Sequence, residues 1–249
     1  MSRRLPWRLD DAPDAPFPPA DTALRDPDGL LALGGDLSPV RLLNAYAGGI
    51  FPWFSEGQPL LWWSPDPRMV FRTNGVHLSS RFRRSLRQST WTLRADTRFV
   101  QVIDACAASP RPGQDDTWIT RDMRDAYAEL HRLGFAHSVE VFDGDQLVGG
   151  IYGVAIGRMF FGESMFSAAT GGSKVALAGL AHRLGSWGWP LIDAQVENDH
   201  LLRMGAEHWP RERFLALVRE QVQQPAAAGD WTDLFGTLAA AELADPGPP

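Results

Sequence analysis

The stretch from His137 to Phe166 constrains the fold most. HSVEVF is followed by Asp143-Gly144 and then by QLVGGIYGVAIG. An Asp-Gly pair between apolar runs is a strong short-range hairpin signal, because both residues tolerate the positive φ that tight hairpin turns demand. A further turn at Gly157 leads into MFFGESMF, so three antiparallel strands follow one another. The Gly-rich TGG then opens the helix SKVALAGLAHRLGSW, followed by the strand LIDAQV and helical segments around HLLRM and RERFLALVREQV. Three antiparallel strands, helix, strand, helix is the order of an α+β chain.

Upstream, GDLSPVRLLNAYAGG reads as a helix with Ser38 as N-cap, Pro39 in the first turn, Leu37 and Leu42 placed for a hydrophobic staple, and Gly48 or Gly49 as the stop. IFPWF and LLWWSPDPRMVF are aromatic runs broken by Pro52, Pro65 and Pro67, a pattern that fits edge strands or rigid loops better than central strands. Met123, Tyr127, Leu130 and Leu133 recur near helical spacing after Thr120 and predict a helix ending at Gly134. Residues 1 to about 25 are Pro- and Asp-rich and read as irregular.

At 249 residues, 44% hydrophobic and 22% charged, the chain has room for one large domain or two modest ones and is not dominated by disorder. One cysteine, Cys106, excludes an internal disulfide and reads as a small core residue, and no CxxC or HExxH pattern points to zinc. MSRRLPWRLDDAPDAPF lacks the apolar run of a signal peptide or membrane span, so a soluble cytoplasmic protein is expected. The net charge of −6 hides an asymmetry: Arg68 to Arg98 holds eight arginines against Asp96 alone, which leaves −13 to the rest. Four of them, Arg81, Arg83, Arg84 and Arg87, lie within seven residues, where guanidinium groups can grip phosphate oxygens in pairs. A solvated helix face is the plain alternative. Its isolation in an otherwise acidic chain favours a phosphate partner.

Alternation along LIDAQV sends Asp193 and Gln195 to one side with Leu191, and Ile192, Ala194 and Val196 to the other. Two polar groups sharing one side of an apolar strand need partners, either in a site or from neighbouring backbone. In MFFGESMF the same arithmetic aligns Glu163 with Met159, Phe161 and Met165, against Phe160, Gly162 and Phe166 opposite. A carboxylate in an apolar stripe is costly unless an amine, hydroxyl or amide meets it. Trp53, Trp62, Trp63 and Trp118 stand in Pro- and Gly-rich surroundings, available for stacking on bases or for core packing. TGGSK lacks the GxxxxGK[ST] phosphate loop, and GESMF is not the G-x-S-x-G nucleophile elbow.

GLLALGGDLSP, AYAGGIFPWFS, LWWSPDPR, TWIT, AHSVEV, LVGGIYGVA, FFGESMFS and LIDAQV together resemble the bacterial leucyl/phenylalanyl-tRNA–protein transferases, over about Phe17 to Phe214. The resemblance implies a small N-terminal α/β domain, set at residues 1–68, and a C-terminal domain, 69–249, similar to the GNAT acyltransferases with a mixed, mostly antiparallel sheet. It implies transfer of Leu, Phe or Met from its tRNA to the α-amino group of a protein beginning with Arg or Lys, which marks that protein for degradation, without cofactor, metal or membrane. By motif it gives Trp53 and Trp118 the terminal adenosine and aminoacyl end, Ile151, Phe160, Gly162 and Glu163 the aminoacyl pocket, Asp193 and Gln195 the catalytic pair, and Arg81, Arg83, Arg84 and Arg87 the tRNA phosphates. Ala194 stands where the family usually has Cys, GGSK where NASK is usual, Asp116 where a Gly precedes Thr117, and Met204 where a Leu is usual. Two other classes compete. An acyl-CoA N-acyltransferase would want a Q/R-x-x-G-x-G/A pyrophosphate loop, which the sequence lacks, and a non-enzymatic RNA-binding module would leave Glu163, Asp193 and Gln195 without a role.

Overall fold

In the computed structural model, which describes residues 5–109, 118–226 and 229–245, the predicted hairpin lies inside a large sheet. Its strands are β7 (Ala136–Asp143) and β8 (Gln146–Ile156), and β9 (Met159–Ser167) follows antiparallel to β8. The turn is shifted by one residue from the expected pair. Asp143 still pairs with Gln146, so Gly144 and Asp145 form the loop, and Gly144 alone takes a positive φ of 58°. Glycine at the first loop position is the type II′ pattern, whose twist matches that of the strands.

The chain begins with β1 (Trp7–Arg8), β2 (Leu30–Leu33), helix α1 (Pro39–Ala47), β3 (Phe51–Pro52) and β4 (Leu61–Trp63). These strands make a four-stranded sheet ordered β1-β2-β4-β3. Ser38 caps α1 by accepting from the Arg41 N–H, and the helix stops at Gly48 as its sequence predicts. There follow β5 (Arg68–Arg72), α2 (Ser80–Leu86), β6 (Thr92–Ala95), α3 (Phe99–Ala108) and α4 (Arg121–Arg132). After β9 come α5 (Gly172–Ser186), β10 (Leu191–Gln195), α6 (Asp199–Arg203), β11 (Glu207–Trp209), α7 (Arg211–Gln221), α8 (Trp231–Phe235) and β12 (Leu238–Ala239).

The second sheet has eight strands ordered β11-β5-β10-β9-β8-β7-β6-β12. Its neighbours are antiparallel except β9 and β10, which run parallel and are joined by the crossover helix α5. The fold is therefore α+β with a mixed, mostly antiparallel sheet. Two cores cover its faces. Leu42, Tyr46, Phe99, Tyr127, Phe161 and Phe214 belong to one, while Leu93, Phe160, Val175, Leu180 and Trp231 belong to the other. Among the described residues no helix is long and apolar enough to cross a membrane.

Three expectations fail locally, each for a physical reason. β4 lies between β2 and β3, and β5 between β11 and β10, so neither is an edge. Pro65 and Pro67 fall in the link between these strands, where no ladder hydrogen bond is lost. Leu133 is 41% exposed, since α4 ends one residue earlier and Gly134, at φ 80°, turns the chain away. The alternation of β9 breaks at Glu163, because the pairing with β8 steps from Gly153↔Gly162 to Tyr152↔Ser164 and leaves Glu163 as an extra residue. Such a bulge turns later side chains to the opposite face. Phe166 thus joins the core of Met159 and Phe161, and Met165 packs with the core of Phe160.

Candidate active site

β9 and β10 pair only as far as Phe161↔Asp193, although β9 continues to Ser167. Beyond that point the two parallel strands part, and a cavity of about 370 Å³ opens between them. Phe71, Ile151, Met165, Leu177, Ile192 and Leu201 supply its apolar wall. Its polar end is formed by Gly162, Glu163 and Ser164 of β9 with Asp193 and Gln195 of β10, and Asn198 and His200 close one side. A concave apolar site of this size with a few convergent polar groups is the usual form of a small-ligand pocket.

Backbone irregularity aims the side chains of Glu163 and Gln195. Glu163 is the bulge residue of β9, and β10 carries a second bulge between Asp193 and Gln195, where Gln195 takes φ 62°. A left-handed backbone at a residue other than glycine persists only when its surroundings fix it. Here the Gln195 N–H donates to Asp193 Oδ1 at 2.9 Å, while its side-chain Nε2 donates to Glu163 Oε1 at 2.7 Å. The amide oxygen of Gln195 has no hydrogen-bond partner among the described residues.

Glu163 is met by neutral donors throughout. Tyr46 of α1 donates to Oε1 at 2.8 Å, Tyr127 of α4 donates to Oε2 at 2.9 Å, and the two tyrosine hydroxyls touch each other. Burial pushes the Glu163 carboxyl up to about 7, with the Tyr46, Tyr127 and Gln195 hydrogen bonds working against that rise. Burial and the Glu163 charge hold both tyrosine hydroxyls well above their usual range, so they remain donors. Asp193 has a different neighbour. Its two oxygens accept from Nε and Nη2 of Arg68 at 2.8 and 2.7 Å, and both side chains are fully buried.

Of the residues singled out in the sequence, Ile151, Gly162, Glu163, Asp193 and Gln195 meet at this cavity. Phe160 is 1% exposed and packs in the core, with its ring 5.9 Å from that of Trp231. Trp53 and Trp118 are half-buried against the core of Tyr46 and Phe161 and do not line the cavity. Trp53 is tied to Trp63, whose Nε1 donates to the Trp53 carbonyl at 2.7 Å. Asp116 and Thr117 lie outside the described residues. Cys106 is fully buried.

The arginine cluster occupies α2 and its C-cap. Arg81, Arg84 and Arg87 are exposed and Arg83 is half-buried, while Arg87 also reaches Asp245 at 3.1 Å. Phe82 presses on the start of α5 so closely that a Cβ at Gly171 would lie 2.7 Å from its ring, and Lys174 stands over the same ring at 5.8 Å. One turn further along α5, Leu177 lines the cavity. Partial burial first, then Lys174 and Arg203, hold the His200 imidazole below its usual range. His200, on the wall of the hollow, is thus kept neutral by burial and by two nearby cations, Lys174 and Arg203, and neither His200 nor Arg203 carries a local sequence signal. Arg68, Tyr46 and Tyr127 reach Asp193 and Glu163 from distant parts of the chain, with no local sequence signal.

The family model described as "Leucyl/phenylalanyl-tRNA protein transferase" matches residues 70–219, and that of the N-terminal domain of the same family matches residues 35–66. The leucyl/phenylalanyl-tRNA–protein transferase of Xanthomonas campestris pv. campestris (strain B100) is 70% identical over 98% of both chains. That of Xylella fastidiosa (strain 9a5c) is 66% identical over 96% of this chain and 98% of its own. A functionally unknown conserved protein from Staphylococcus epidermidis ATCC 12228 superposes with a TM-score of 0.41 at 12% identity, over 73% of this chain and 68% of its own. With near-complete coverage at this identity, the chain belongs to the leucyl/phenylalanyl-tRNA–protein transferase family.

Proposed function

We propose that the protein transfers an aminoacyl group from tRNA to the amino terminus of an acceptor protein, and that the cavity between β9 and β10 receives the side chain of that group. One juxtaposition carries this: an apolar hollow ends at a glutamine amide whose nitrogen is tied to Glu163 and whose oxygen is uncommitted. Leu, Phe and Met suit such walls. A polar side chain would leave an unpaired group inside, whereas methylene-sized differences among apolar ones discriminate weakly. The preferred acceptors begin with Arg or Lys, and transfer marks them for degradation.

Aminolysis of an ester needs orientation of the amine, loss of one proton and support for a tetrahedral oxyanion. An α-amino group titrates at about 7.7–8.0, so part of it is neutral near pH 7.5 without a strong base. Gln195 accepts a hydrogen bond from the attacking nitrogen and sets its direction. As the new C–N bond forms, the ester C–O bond to the tRNA's terminal ribose breaks, and the proton lost by the amine ends, through water or the neighbouring ribose hydroxyl, on the departing ribose oxygen. Glu163 fixes that amide by taking its N–H, so the amide oxygen, not the nitrogen, faces the amine. Asp193 acts on the backbone of Gln195 and not on its side-chain amide. Trp53 and Trp118 keep the terminal adenosine by resemblance alone, and Phe160 supports the pocket from beneath.

Arg81, Arg83, Arg84 and Arg87 hold the acceptor stem by its phosphates, so recognition is salt-sensitive and largely sequence-blind. Each of Arg81→Gln and Arg84→Gln is expected to weaken tRNA binding and to lower the slope of log Kd against log salt by about one. An unchanged slope would return these arginines to a solvated face. For the whole assignment, the test is transfer of labelled Phe from its tRNA to an Arg-initiated peptide. Gln195→Ala should lower kcat by about 100-fold with donor binding retained. Full activity of that variant would remove Gln195 from the reaction.

A further inference from the structure

We infer that Arg68 is a positioning residue for the transfer reaction, holding the Asp193 carboxylate and through it the left-handed backbone of Gln195. The inference rests on the proposed role of Gln195 in directing the amine. Arg68 opens β5 and has no exposed surface. Its Nε and Nη2 meet the two oxygens of Asp193 side by side, and the rings of Phe51 and Phe214 cover the guanidinium at 4.7 and 4.6 Å. Phe51 comes from the four-stranded sheet and Phe214 from α7, so three separate segments of the chain converge on one planar cation.

While Nη1 is buried without a hydrogen-bond partner among the described residues, the geometry uses the Nε–Nη2 edge and both flat faces of that cation. Its fork matches the two carboxylate oxygens in one orientation only, and its flat faces accept the rings. Asp193, thus oriented, presents Oδ1 to the Gln195 N–H. That hydrogen bond restrains a φ of 62° at a residue with a side chain, and the restraint sends Nε2 to Glu163. Without the guanidinium, Asp193 would be a buried carboxylate free to rotate. Lysine could neutralise the charge but is a point donor on a flexible stem and fixes no plane. A simple staple between segments would be served by charge alone, whereas positioning requires the fork.

The test is Arg68→Lys in the full-length enzyme, compared with Gln195→Ala, with thermal unfolding, binding of Phe-tRNA, and kcat and KM for an Arg-initiated peptide measured on each. Arg68→Lys is expected to unfold cooperatively and bind Phe-tRNA within about twofold of the parent, while kcat falls about 30- to 100-fold and peptide KM stays within about threefold. A folded Arg68→Lys enzyme with kcat near the parent value, beside an inactive Gln195→Ala, would overturn the role of Arg68 and leave that of Gln195 standing. A rise in KM alone would likewise overturn it. An active Gln195→Ala would instead remove the reading on which the inference rests. If Arg68→Lys does not fold, Phe51→Leu carries the test, because it strips one ring from the guanidinium and keeps both charges. A fall in kcat of about three- to tenfold at constant KM supports positioning, and an unchanged kcat overturns it.

Discussion

Two buried glutamates, Glu140 on β7 and Glu163 on β9, invite comparison because burial pushes both carboxyls up to about 7. Both are also met by uncharged donors: Ser138 Oγ with the N–H and hydroxyl of Thr97 for Glu140, and Tyr46, Tyr127 and Gln195 for Glu163. They differ in where those donors come from and in what lies beyond them. Ser138 is two residues away on the same strand, Thr97 follows the neighbouring β6, and Glu140 has no exposed surface. The donors to Glu163 arrive from α1, α4 and β10, and its carboxyl borders a hollow. A displaced carboxyl alone is a feature of tight packing. Distant elements converging on it beside empty volume are what distinguish a site.

The largest expected effect separates the two directly. Glu163→Gln preserves volume but replaces an acceptor oxygen with an NH2 facing a donor, so turnover should fall about 100-fold. Glu140→Gln should leave kcat within about twofold, since nothing it holds touches the cavity. Equal losses in transfer of Phe to an Arg-initiated peptide would break the comparison.

A second expectation concerns pH. Each carboxyl titrates near 7 in the folded protein against a reference of 4.5, so the folded state binds its proton more tightly in that window. The stability each contributes is complete below about 4.5 and is lost as pH rises through about 7. The melting temperature of either glutamine variant, relative to the parent, should therefore rise between pH 5 and pH 7.5. Activity should divide them. If Glu163 must be ionised to take the Gln195 N–H, the acid limb of kcat/KM near 7 disappears in Glu163→Gln and persists in Glu140→Gln. Persistence in both would transfer that limb to the acceptor amine.

How far the sequence reached follows the same division between local and distant. The cap at Ser38, the stop at Gly48, the crossover helix and the α+β order depend on neighbours within a few residues, and they were legible. So were Glu163 and Gln195, because a polar residue in an apolar strand is conspicuous. Tyr46 and Tyr127 were not, since each looks like a core position of an amphipathic helix and meets Glu163 across 117 and 36 residues. The Arg68–Asp193 pair spans 125 residues, and in the sequence Arg68 is simply one of the arginines of a basic stretch. The bulges at Glu163 and before Gln195 break the alternation of inward and outward faces at the very positions that carry the polar groups. Trp53, Trp118 and Phe160 show the converse: matching letters identify a family without telling which ring lines the hollow.

The smallest expected effects sharpen the comparison by removing one hydroxyl from each glutamate. Ser138→Ala deletes a donor to Glu140 and Tyr127→Phe a donor to Glu163, and either loss should cost about 0.5–1.5 kcal/mol of stability. The cost should be greatest above pH 7, where the carboxylate is ionised and needs its donors, and should shrink towards pH 5, where a neutral carboxyl needs fewer. Urea midpoints at the two pH values measure it. Turnover is the discriminating reading. Ser138→Ala leaves it unchanged, because neither Glu140 nor its donors Ser138 and Thr97 line the cavity. Tyr127→Phe lowers it about tenfold, because a carboxylate released from α4 no longer holds the Gln195 amide in one orientation. If the tyrosine variant lost stability but kept full turnover, Glu163 would be a buried glutamate of the same kind as Glu140, and the cavity beside it would have to orient the amine by other means.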